Sequence, residues 1–222
     1  TTFMPDAMPL LGRLFFERFD QVVDFRHSLI PLFLPGAKRT PLFRKSDGST
    51  HRVRQHLNLL KGWGVPLSDE PVPLWYGQQD QEQVNRWLKP GRVPVVIAPG
   101  SRSHLKRWEA GKFAQVADRL AAEHQAQIIL VGDVQERPVV EQVKQAMREG
   151  FTDLTGRTTL PQLFALLAKS RMVITNDSAC LHAAQAMGSP TVAIFGPTDE
   201  RKYGPRWPNS VVVRRPLVCA PC

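Results

Sequence analysis

The sequence predicts an α/β protein built on a parallel sheet with helices on both faces, and three features point there. From Val93 to Phe195, short uncharged runs rich in Val, Ile and Ala alternate with longer amphipathic stretches. Those runs are apolar at consecutive positions rather than alternate ones, the pattern of strands buried on both sides. Met172–Phe195 has the strand, polar turn, helix, strand order of a βαβ unit.

Each element follows from its residues. Val93–Ala98 is the first expected strand, followed by a helix over Glu109–His124 with Phe113, Val116, Ala117 and Leu120 on one face. Gln127–Val131 is the next strand and Glu136–Arg148 the next helix. Phe151–Leu154 is short and extended, and Thr159 caps a helix carrying Leu160, Leu163 and Leu167. Met172–Thr175 forms a strand that ends at Asn176 and Asp177. Ser178 is then expected to accept a hydrogen bond from the free N–H groups of the next turn, starting a helix that runs to Met187. Gly188 and Pro190 stop it, Thr191–Phe195 is a second strand, and Gly196-Pro197-Thr198 turns the chain away.

Upstream the pattern is weaker. Leu10–Arg18 fits a short helix, Phe19–Phe25 a strand, and Thr50–Lys61 a helix capped by Thr50. Arg26-His27-Ser28 is either a solvated loop or the ligand-facing end of that strand. The Pro- and Gly-rich stretch from Gly64 to Pro94, around the short polar helix DQEQVNRWL, reads as a linker. The expected boundary is near Lys89, giving a partial N-terminal domain over 1–88 and a C-terminal domain over 89–222.

Composition narrows the function classes. With 222 residues, 42% apolar and 22% charged, the chain is an ordinary globular one with room for one large or two small cores. No run approaches the roughly 20 apolar residues of a membrane helix; the greasiest, Ser28–Gly36, contains two prolines, Pro31 and Pro35. The net charge of +9 favours an anionic partner. No aromatic-rich basic motif accompanies it, so nucleic acid is not the expected partner. Three cysteines do not make a disulfide scaffold. Cys219 and Cys222 form a C-x-x-C without two further ligands for a metal, and read as ordinary thiols, while Cys180 reads as a small packed residue. The chain lacks an initiator Met and a signal peptide and is expected to be a fragment of a longer protein.

In a parallel sheet, ligands bind at the carboxyl ends of the strands, and three loops fall there. The turn Asn176-Asp177-Ser178 opens a helix whose first amides suit a phosphate, and His182 lies one turn on from Ser178, on the same face. A carboxylate would repel that phosphate, so Asp177 is expected to bond a hydroxyl or order the turn. The loop Pro99–Trp108 offers Ser101, Ser103 and the compact cation of Lys106, without the spacing of a P-loop. In the third loop, Gly132–Glu136, Asp133 or Glu136 either accepts ribose hydroxyls or caps the next helix.

Taken together, PGS followed by KRW, the G-x-x-x-E loop, DLTGRTTLPQL, ND-S-x-x-x-H and FGPT occur in an order that resembles glycosyltransferase family 9, the ADP-heptose:lipopolysaccharide heptosyltransferases. The similarity is firm from Val93 to Cys222; FDQVVDFRHS and PGAKRT resemble the back half of the family's N-terminal domain. The resemblance implies a GT-B architecture of two Rossmann-like domains facing a cleft, and a metal-independent, inverting transfer needing no cofactor. By motif position, Ser101, Arg102 and Lys106 would meet the donor diphosphate. Glu136 would lie near the nucleoside, and Asp177, Ser178, the Ala179 amide and His182 near the diphosphate and sugar. The implied partners are an ADP-sugar, with a UDP-sugar as the alternative, and a lipopolysaccharide-core acceptor, in the cytoplasm at the inner face of the membrane. Two departures stand out. Ala179 replaces the family's usual Gly, and the family's first strand, with the loop carrying the general base, is absent. That base is expected upstream of Thr1; Asp24 is the nearest substitute by position. A binding module without turnover is therefore the second expectation for this chain.

Overall fold

The computed structural model describes residues 12, 14, 16–25, 34, 36–40, 51–68, 70, 72–216, 219 and 221. The chain divides into two compact units, Thr1–Ser68 and Asp69–Cys222.

In the first unit, strands β1 (Phe19–Val22) and β2 (Gly36–Arg39) pair in parallel, with Gln21 opposite Lys38. The pairing continues past the strands, where the Asp24 amide donates to Thr40 Oγ1 at 2.9 Å. The expected strand over Phe19–Phe25 is thus shorter. Helix α1 (Arg52–Leu59) is capped by His51, whose Nδ1 accepts from the Val53 amide at 3.2 Å; the expected cap, Thr50, lies outside the described residues. The same holds for Arg26-His27-Ser28, and of the expected helix at Leu10–Arg18 the described residues Gly12 and Leu14 are helical.

The second unit begins earlier than the expected boundary at Lys89. Helix α2 (Gln78–Trp87), expected in the linker, belongs to it because Val84 is fully buried in its core. Gln127 completes the attachment. Its buried side-chain amide donates to Trp87 O at 2.7 Å and its carbonyl accepts from the Lys89 amide at 2.8 Å. A polar helix sequence hides this, since Val84 is its one fully buried residue, with Trp87 packed beside it.

Beyond α2 come β3 (Val93–Ala98), α3 (Ala110–His124), β4 (Ala126–Leu130), α4 (Arg137–Ala146), β5 (Phe151–Asp153) and α5 (Leu160–Lys169). Then follow β6 (Met172–Asn176), α6 (Ala179–Ala186), β7 (Thr191–Phe195), α7 (Glu200–Tyr203) and β8 (Ser210–Arg214). The six strands are all parallel, in the order β5-β4-β3-β6-β7-β8. The sheet grows outward from β3 in one direction and from β6 in the other, a doubly wound sheet whose switch point lies between these two strands.

Consecutive strand residues serve opposite cores, which is why their sequences read as unbroken apolar runs. Val96, Ala98, Ile129, Val131 and Val173 pack under Val84 of α2, Ala165 and Leu166 of α5 and Ala184 of α6. Val95, Ile97, Ile128 and Leu130 pack under Phe113 and Ala117 of α3 and Val143 of α4. Thr159 caps α5 as expected, in a reciprocal box with Gln162, and Gly188 takes a positive φ of 70° after α6. The edge strand β8 was not anticipated. Its alternating burial, with Val211 and Val213 exposed, breaks the continuous apolar pattern of the central strands.

Candidate functional site

The switch point places the loop after β3 beside the loop after β6, both at the carboxyl edge. Asn176, last residue of β6 and fully buried, fastens them together. Its Nδ2 donates to Pro99 O at 2.8 Å, and its Oδ1 accepts from the Trp108 amide at 3.0 Å. One side chain therefore clamps both ends of the Pro99–Trp108 loop, and Trp108 is further held edge-on against Phe113, with ring centroids 5.0 Å apart. Asn176 was expected only as the end of a strand. The signal that marks it is the amide itself, since a buried Asn must find partners on both sides.

Within that frame Lys106 Nζ lies 2.7 Å from Asp177 Oδ2. The same oxygen accepts from Thr198 Oγ1 at 2.7 Å, so the turn after β7 joins the cluster. Asp177 thus accepts from a hydroxyl and an ammonium of the protein itself. Ser101, also buried, donates from Oγ to Asp177 O at 3.2 Å, while Arg107 Nε donates to Ser101 O at 2.9 Å. Arg102, Ala179 and His182 are exposed at the surface.

Ser178 corrects an expectation. It occupies the N-cap of α6 with an extended backbone, but its side chain makes no capping bond; its hydroxyl lies 3.1 Å from Thr175 Oγ1 instead. Asp133 and Glu136 do cap one another. Glu136 N donates to Asp133 Oδ1 at 2.9 Å and Asp133 N to Glu136 Oε2 at 3.1 Å. The Glu136 carboxylate also lies against Gly100, in the space a Cβ there would occupy, so this loop meets the loop after β3 at that glycine. Burial raises the Glu136 carboxyl above its ordinary pKa; the Asp133 amide opposes this, the Asp133 charge adds to it, and the Arg107 charge opposes it. Cys180 faces the same spot. Its thiol is pushed up to about 12, chiefly by burial and then by the Glu136 charge, against a hydrogen bond with Thr175.

Four loops thus converge on one rim, where the partly exposed Lys106 and the N-terminus of α6 lie over hydroxyls bonded within the protein. Among the described residues no group of three His, Cys, Asp or Glu side chains could hold a metal ion. Asp24 sits in the first unit, just after β1, and Cys219 is exposed. Cys222 lies outside the described residues.

A doubly wound parallel domain of this class of α/β protein takes its ligands at the switch point, where Lys106, Ser101 and Ser178 gather here. Residues 43–222 match the model of glycosyltransferase family 9 (heptosyltransferase), and the chain belongs to that family. It is similar to lipooligosaccharide heptosyltransferase 2 of Haemophilus influenzae, 32% identical over 56% of this chain and 37% of that protein. It is also similar to lipopolysaccharide heptosyltransferase 3 of Escherichia coli, 30% identical over 72% of this chain and 48% of that one. The chain therefore spans less than half the length of either relative. Among solved structures, the family 9 transferase of Veillonella parvula superposes with a TM-score of 0.72 at 25% identity, over 84% of this chain and 54% of that one. The ADP-heptose LPS heptosyltransferase II of E. coli shares the fold, with a TM-score of 0.75 at 23% identity over 96% of this chain and 73% of that one.

Proposed function

We propose that the second unit is the donor-binding half of an inverting, metal-independent heptosyltransferase. In this reading the full-length protein moves a heptose from an ADP-sugar to a lipopolysaccharide-core acceptor. One observation carries it: Lys106 and Asp177 are paired at the N-terminus of α6, whose cap side chain leaves the first turn's amides unengaged. Lys106 and those amides, Ala179 included, stabilise the departing diphosphate in the role a divalent ion fills elsewhere. Ser101 shapes the loop beneath, Arg102 adds charge at the mouth, and Ser178 and His182 line the diphosphate and sugar side. Glu136 keeps one carboxylate oxygen for a ribose hydroxyl while the other caps its loop. The names of the relatives support heptose as the sugar and a lipopolysaccharide or lipooligosaccharide as its acceptor.

The first unit is assigned to the acceptor side, with the general base supplied by sequence upstream of Thr1. The excess of Lys and Arg, 29 against 20 acidic residues, suits an anionic acceptor and attachment at the inner membrane face. No helix among the described residues is long and apolar enough to cross a membrane. For this chain alone, donor binding without turnover is the favoured outcome, because the chain spans less than half the length of the heptosyltransferases it is similar to. The test is titration with ADP and UDP, combined with a transfer assay using ADP-heptose and heptose-deficient core. Binding of ADP without transfer by this chain, and transfer by the longer parent, is expected. Absence of nucleotide binding sinks the reading, and tighter binding of UDP than ADP replaces the donor.

A further inference from the structure

We propose that Asp177 is a specificity-determining residue that makes the site favour a sugar-esterified diphosphate over the free nucleoside diphosphate released after transfer. The inference rests on the nucleotide-sugar reading above. Asp177 is 5% exposed, and its Oδ2 accepts from both Lys106 Nζ and Thr198 Oγ1 at 2.7 Å. Lys106, the cation bonded to this carboxylate, therefore meets its ligand already partly neutralised. An ammonium holds its three protons tetrahedrally, so a second acceptor on Lys106 sits about 4.5 Å from Oδ2, for hydrogen bonds near 2.8 Å. A phosphate gripped by Lys106 is held beside a carboxylate that repels it.

That repulsion grows with the charge on the phosphate. A free terminal phosphate carries about −1.5 to −2 at neutral pH, whereas one esterified by a sugar retains about −1. Asp177 thus penalises the product nucleotide more than the donor, which favours product release and exchange for fresh donor. The Thr198 hydroxyl tempers the effect by bonding the same oxygen. Removing the carboxylate and removing the hydroxyl must therefore act in opposite directions, which a merely structural role for this pair would not produce.

The experiment is calorimetric titration of the 222-residue chain, wild type, Asp177→Asn and Thr198→Val, with ADP and with ADP-heptose. Asp177→Asn is expected to shift the ratio of ADP to ADP-heptose affinity about tenfold toward ADP, the scale of one unit charge at this range in a partly screened site. Thr198→Val is expected to shift it about twofold to threefold the other way. A ratio unmoved in either folded variant, or moved in the reverse sense, overturns the inference. If wild type binds neither ligand, the donor-site reading falls first and takes this one with it; if wild type binds both and the ratio stays constant, the specificity role alone fails. Thermal melts establish folding, and should Asp177→Asn not fold, Thr198→Val decides by its sign.

Discussion

The sheet of the second unit carries a buried side-chain amide at each edge, and the two do opposite things. At the amino edge, Gln127 donates to Trp87 O and to Thr152 Oγ1, at 3.1 Å, and accepts from the Lys89 amide. Its bonds tie the end of α2 and strand β5 to the sheet. At the carboxyl edge, Asn176 makes an equally complete set of bonds, but what it clamps is a loop bearing Lys106, whose ammonium has used one bond on Asp177. Burying polar groups is costly at both edges. At one the return is attachment of a helix; at the other it is a rigid platform of donors turned toward solvent, the preorganisation that anion binding requires.

The comparison breaks or sharpens in four places. The largest effect is kinetic. With its thiol pushed up to about 12, Cys180 holds far less thiolate than an ordinary cysteine. Alkylation of Cys180 by iodoacetamide at pH 8 should be about a thousandfold slower in native than in unfolded protein, by thiolate fraction; rapid labelling would mean the Glu136 and Cys180 side of the rim is wet. The same shift has a sign for stability. A raised folded pKa contributes stability that is whole below the unfolded value, 9.0, and drains as pH climbs toward 12. Cys180→Ala should therefore flatten the alkaline limb of a pH-stability curve measured by denaturant unfolding.

Next, Lys106→Met should weaken ADP binding about a hundredfold in titration, the scale of a charge-assisted contact with a diphosphate. A smaller loss follows from Asn176→Ala, at about tenfold in ADP affinity, together with about 2–3 kcal/mol of stability as Pro99 O and the Trp108 amide lose their partner. Gln127→Ala should cost a similar 2–4 kcal/mol in chemical denaturation yet leave ADP affinity within about twofold at a temperature where the protein is folded. Equal effects of these last two on binding would erase the distinction between the edges.

Much of this was legible in sequence because parallel strands announce themselves. Val93–Ala98, Met172–Asn176 and Thr191–Phe195 are buried on both sides and need continuous apolar residues. The loops were legible because Gly, Ser, Asp and Lys gather where strands end. Partnerships were not. Nothing in the order of residues says that Ser178 would turn to Thr175 rather than cap α6, or that Thr198 would reach the Asp177 carboxylate. The helix Gln78–Trp87 was assigned to a linker because its composition is polar, and its place in the core depends on Val84 and on a glutamine distant in sequence. Strand Ser210–Arg214 escaped because an edge strand with one exposed side alternates as surface segments do.

The measurement that bears most directly on the central claim is hydrogen–deuterium exchange with and without ADP. If separate turns at the carboxyl edge grip one diphosphate, ADP will protect the peptides covering 99–108, 132–136 and 176–182 together, and leave 84–94 at the amino edge unchanged. Protection confined to a single loop, or appearing at the amino edge instead, would contradict it.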